Sequence, residues 1–65
     1  MKVIWNLDNT TCVPIEKISY FKICGKQEAA GMNYYLYAFF PGNEGNFRIY
    51  VSQDKQSCID YLERL

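Results

Sequence analysis

Apolar and polar positions alternate through most of this chain and change to a helical period only at its C-terminal end. Val3, Trp5 and Leu7 alternate with Ile4 and Asn6, which predicts a first strand. Asp8-Asn9-Thr10 is turn chemistry, because Asn and Asp tolerate left-handed backbone and bond locally. Thr11 to Ile15 reads as a second short strand, which lies on a sheet edge or stops at Pro14, since proline cannot donate to a ladder. These two strands are expected to pair as a hairpin. Glu16-Lys17 makes a short corner, and Ile18 to Ile23, β-branched and aromatic, predicts a third strand. Cys24 to Asn33 has no sustained apolar period and reads as a mobile connection. Tyr34 to Phe40 is the strongest strand signal. Pro41-Gly42-Asn43-Glu44-Gly45-Asn46 reads as a loop dense in turn formers, and Phe47 to Val51 as the fifth strand, so that a hairpin is expected across the loop.

From Ser52 onward the period changes. Ser52 is the expected helix cap. Cys58, Leu62 and Leu65 fall at i, i+4 and i+7 with Ile59 and Tyr61 beside them, an amphipathic stripe. So short a helix is marginal alone in water and must dock on the sheet. The expected fold is α+β: a single domain over 1–65, an antiparallel meander of about five strands (β-β-β-β-β-α) with the C-terminal helix across one face.

If Phe40 lies opposite Phe47, then Ala38 meets Ile49 and Leu36 meets Val51 on one face, an aliphatic surface suited to the helix. On the other face Phe39 meets Arg48 and Tyr37 meets Tyr50, with Tyr35 beyond. A slip of one residue would exchange a strand's faces. In this register Tyr35, Tyr37, Phe39, Arg48 and Tyr50 form the candidate partner-binding surface, with Arg48 placed to stack over a ring.

Composition sharpens that expectation. Ten Tyr and Phe and one Trp occur in 65 residues, and 49% of the chain is apolar. A domain of this size hides only about 60% of the surface its unfolded chain exposes, so apolar area is left for contact with a partner. A second copy of the chain is the simplest partner, and a homodimer is expected. Seven basic and seven acidic residues balance and are interspersed. The basic footprint of a duplex-DNA binder is therefore absent, and nothing points to an anionic membrane surface. Single-stranded nucleic acid, stacked on sheet aromatics, stands second to protein contact, because such platforms sit in basic grooves and the RNP1 pattern is absent from Tyr34-Tyr35-Leu36-Tyr37-Ala38-Phe39-Phe40.

Candidate chemistry is sparse. The chain has no histidine, so a Cys–His nucleophile cannot be built. Cys24 has Lys22 and Lys26 near it in sequence, and neighbouring cations can activate a thiol. A thiol-dependent role at Cys24 is the third reading. Cys12, Cys24 and Cys58 match no zinc spacing, and their odd number and wide separation, with no signal peptide read at the N-terminus, lead us to expect a cytoplasmic protein with reduced thiols. Cys24-Gly25-Lys26 lacks the upstream glycine and following Ser/Thr of a phosphate loop. Gly42-Asn43-Glu44-Gly45 has a GxxG outline but joins strands rather than helices, so it reads as a turn. Asp54, Asp60 and Glu63 fall on the solvent side of the helix or near its start. No catalytic residue, metal or cofactor is expected.

Ile4-Trp5-Asn6-Leu7-Asp8-Asn9 followed by Val13-Pro14-Ile15-Glu16-Lys17-Ile18 is similar to the start of short bacterial and phage-encoded proteins of unknown function, which open with a strand, an Asn-rich turn, a second strand and a VxIxxI segment. Their ending, a last strand followed by a helix like Ser57 to Leu65, is also similar. The resemblance covers the ends of the chain, brings no catalytic residues, and implies a small meander-plus-helix domain. The function expected from these readings together is a non-catalytic binding or regulatory role through an aromatic sheet face or a strand edge.

Overall fold

The computed structural model describes the backbone from Met1 to Leu65 and every side chain except those at positions 44–46. Five strands and one helix follow in the order β1 (Val3–Trp5), β2 (Cys12–Pro14), β3 (Tyr20–Glu28), β4 (Gly31–Phe40), β5 (Asn43–Ser52) and α1 (Lys55–Glu63). The α+β class is as expected, but the strands divide into an antiparallel pair, β1-β2, and a three-stranded antiparallel sheet, β3-β4-β5. The expected single meander is broken after Pro14, where a 3₁₀ turn over Ile15–Lys17 redirects the chain. One backbone bond, from Leu7 N–H to the Arg48 carbonyl at 2.9 Å, ties the hairpin to β5.

Asn6 organises the β1–β2 loop. Its Oδ1 accepts from the amides of Thr10 and Thr11 at 3.0 and 3.2 Å, and Asn9 takes the left-handed conformation, φ 57°. This is the local bonding that suits Asn to turns.

The segment expected to be a mobile connection is instead a hairpin. β3 and β4 pair without interruption from Tyr20↔Phe39 to Glu28↔Gly31, leaving Ala29-Ala30 as the turn and Gly31, at φ +120°, just after it. Gly25 permits this pairing, because a Cβ there would lie 3.1 Å from the Tyr34 ring. The β4–β5 loop is also shorter than expected. Phe40 pairs with Asn43, so Pro41-Gly42 makes the turn, with Gly42 at φ +91° as the second central position of a type II turn requires. The backbone at 43–46 therefore belongs to β5; the side chains of Glu44, Gly45 and Asn46, on which the GxxG outline partly falls, lie outside the described residues.

The β4–β5 register differs from the one inferred. Tyr35 faces Val51 and Leu36 faces Tyr50; then the register shifts, and Tyr37 faces Arg48 and Ala38 faces Phe47. Ile49 is the extra residue, a β-bulge, which bends a strand and re-aims its side chains. As a result Ile49 is buried in the core and Tyr50, its neighbour, stacks on the helix residue Tyr61 at 4.4 Å.

The core lies on one side of the three-stranded sheet. Ile4 and Val13 from the hairpin meet Leu36, Ala38, Phe47 and Ile49 from the sheet. The helix docks on the same side with Tyr61, Leu62 and Leu65 packed against that cluster. Cys58 is fully buried, and its thiol donates to the Tyr34 carbonyl at 3.5 Å. Burial pushes this thiol's pKa up. The helix cap is Asp54, whose carboxylate accepts from the Gln56 amide at 3.1 Å. Ser52, the expected cap, stands one step earlier and accepts from the Asp54 amide at 3.0 Å.

Candidate binding face

Because strand side chains alternate, the face of β3-β4-β5 turned away from the core is fixed by the observed register. Cross-strand partners share a face, so it can be read in rows. Tyr20 stands beside Phe39; Lys22, Tyr37 and Arg48 form the next row; Cys24, Tyr35 and Val51 follow; then Lys26 and Asn33, and finally Glu28 beside the β4 start. Helix and hairpin both pack on the opposite side, against the core residues.

The rings form a ladder along β4. Tyr35 and Tyr37 have centroids 6.4 Å apart at 49°, and Tyr37 and Phe39 6.3 Å apart at 36°. These three are half-buried by one another and by their row neighbours. Tyr20 lies flat against Phe39, centroids 4.7 Å apart and nearly parallel, yet stays 56% exposed. A recess of about 220 Å³ opens at this end, lined by Ser19, Tyr20, Phe39, Phe40 and Pro41. The Arg48 guanidinium sits over the Tyr35 ring, 5.2 Å from its centroid.

Glu28 closes the other end. It accepts hydrogen bonds from the Asn33 amide and from the Tyr35 hydroxyl, the latter at 3.1 and 3.2 Å to its two oxygens. The Asn33 bond first, then the Tyr35 bond, hold its carboxyl below the usual carboxylate range. The same contact raises the Tyr35 phenol above the ordinary tyrosine value.

Of the five residues expected to form a surface, Tyr35, Tyr37, Phe39 and Arg48 are brought together here. Tyr50 is not among them: the bulge turns it to the helix side. Val51, expected beneath the helix, takes a place on this face and is 37% exposed. Sequence reasoning missed Tyr20, Lys22 and Lys26 as members. Their i, i+2, i+6 spacing in β3 was the available signal, but it joins them to the β4 rings only once the β3–β4 pairing is known.

The three thiols are free. Cys24 lies on this face opposite Tyr35, Cys12 is exposed on the hairpin, and Cys58 is under the helix. Among the described residues no group of His, Cys, Asp or Glu is arranged to hold a metal ion, and no helix is long and apolar enough to cross a membrane. In comparisons with known proteins, no family model, no curated protein and no solved structure matches this chain.

Proposed function

We propose that this chain is a non-catalytic binding protein and that the uncovered face of β3-β4-β5 is the surface it binds with. One observation carries the reading: hairpin and helix both pack on the same side of the sheet, while the other side concentrates Tyr20, Tyr35, Tyr37, Phe39 and Arg48. Aromatic residues with Arg are the side chains enriched where proteins make specific contacts. Rings that served only the chain's own stability would be expected beneath a second layer.

Another protein, in its simplest form a second copy of the chain, is one occupant that the aromatic surplus suits. The unpaired outer edge of β3, Tyr20–Glu28, adds main-chain groups that a protein strand can use. A second reading, single-stranded nucleic acid, is favoured by the cations Lys22, Lys26 and Arg48 standing among the rings.

The test replaces Tyr20 and Tyr37 together by alanine. Both rings project from the open side, so circular dichroism and cooperative melting should persist. In sedimentation equilibrium, a wild-type dimer that becomes a monomer in the variant supports a protein occupant. Collapse of the variant's fold would assign the rings to internal packing and remove the reading.

A further inference from the structure

We infer that the ligand of the open face is single-stranded nucleic acid, with bases stacked on the β4 ring ladder and phosphates met by Lys22, Lys26 and Arg48. This rests on the reading of that face as the contact surface and adds the chemistry of what covers it.

Charge decides between occupants. Lys22 and Arg48 flank Tyr37 on its two sides, and Lys26 stands beside Asn33 two rows away. All three cations are exposed. Among the described side chains the sheet face itself carries one carboxylate, Glu28, to which Asn33 and Tyr35 already bond, and Asp8 of the β1–β2 loop lines a recess together with Arg48. The chain as a whole is neutral, with seven acidic and seven basic residues, yet among the described side chains the cations of this face outnumber its carboxylates. A second copy packed face to face would bring two sets of these three cations into one interface. Like charges brought together across an interface disfavour that pairing. A polyanion meets no such opposition.

The rings decide the kind of polyanion. Tyr35 and Tyr37 are tilted to their ladder neighbours and stack flat on none of them, while Tyr20 and Phe39 stack face to face at the end of the row and leave only their outer faces open. Every base has a π-face, so such a platform takes single strands with little regard to sequence. A duplex keeps its base faces stacked inside and offers the rings nothing. Arg48 over Tyr35 is pre-set by the ring for a phosphate or a base plane.

The experiment is fluorescence anisotropy of a labelled oligothymidylate about twelve nucleotides long, within the usual site sizes for such surfaces. A saturable rise is expected, with affinity falling about 20-fold between 50 and 200 mM salt, the consequence of about three phosphate contacts on a single strand. Tyr37→Ala should weaken binding about 10-fold or more. Lys22→Ala combined with Arg48→Ala, which leaves every ring in place, should weaken it and flatten the salt dependence to about one contact. A blunt duplex of the same length should bind more weakly than the single strand. Absence of binding at low salt, or binding indifferent to both variants, overturns the inference. If the oligonucleotide does not bind but the protein sediments as a dimer that Tyr20→Ala with Tyr37→Ala dissolves, nucleic acid is wrong and the face remains a contact surface. If neither is seen, both fall.

Discussion

Glu28 and Tyr35 share one proton-sensitive contact on the open face. The Glu28 carboxyl is lowered in the folded chain, so its contribution to stability is present above its unfolded value and lost as pH falls through the folded one. The Tyr35 phenol is raised, so its contribution is present below the ordinary tyrosine value and lost as pH rises through the folded one. Thermal stability should therefore be flat around neutrality and decline at both ends, by a small amplitude because both groups are solvent-screened. Tyr35→Phe should flatten the alkaline decline attributable to this pair, read as Tm against pH; an alkaline limb unchanged by the substitution would show that the hydroxyl makes no such contact. Tyr35 was legible in the sequence as a surface residue but its contact with Glu28 was not, because Glu28 fell in a stretch read as a connection. Tyr50 was misplaced for a related reason. Its face depends on the bulge at Ile49, and no residue type in Arg48-Ile49-Tyr50-Val51 marks where a bulge falls.

At the scale of elements, the helix was readable as a stripe and its cap was not. Ser52 and Asp54 are both good capping residues, and only the backbone shows that Asp54 takes the cap while Ser52 bonds the residue before the helix. Asp54→Ala should cost about 1 kcal/mol, a fall in Tm of about 4–8 °C for a chain this small. Ser52→Ala should cost less than half as much; equal losses would mean that the two share the cap. The β3–β4 hairpin was hidden because its turn, Ala29-Ala30, carries none of the usual turn residues, and the positive φ falls on Gly31 instead. Gly31→Ala should therefore destabilise the chain by about 1 kcal/mol or more, the cost of a side chain in left-handed backbone, measured by urea unfolding. A neutral result would indicate that the turn relaxes into another conformation.

For the molecule as a whole, the sequence carried the class, the hairpins at the two ends and the surplus of rings, because these depend on local period and composition. It did not carry the division into two sheets, which depends on the 3₁₀ turn after Pro14, or the gathering of cations on one face of a neutral chain, which depends on strand register. The single small core makes the fold sensitive at its centre. A domain of this size draws only about 3–5 kcal/mol from such a core, and Leu36 is fully buried within it. Leu36→Ala, at a cost of about 2–5 kcal/mol, should leave the chain largely unfolded at room temperature by circular dichroism. Tyr37→Ala, on the open side, should leave it folded. Similar losses from the two would contradict a one-sided core.

The most direct measurement is a titration of the isotope-labelled protein with oligothymidylate, followed by amide and side-chain correlation spectra. The expected shifts gather on Tyr20 to Lys26, Asn33 to Phe39 and Arg48 to Val51, and are largest around Tyr37, with the helix and the β1–β2 hairpin quiet. Shifts centred on the helix or the hairpin, or spectra that do not move at all, would contradict the assignment of the open face to nucleic acid.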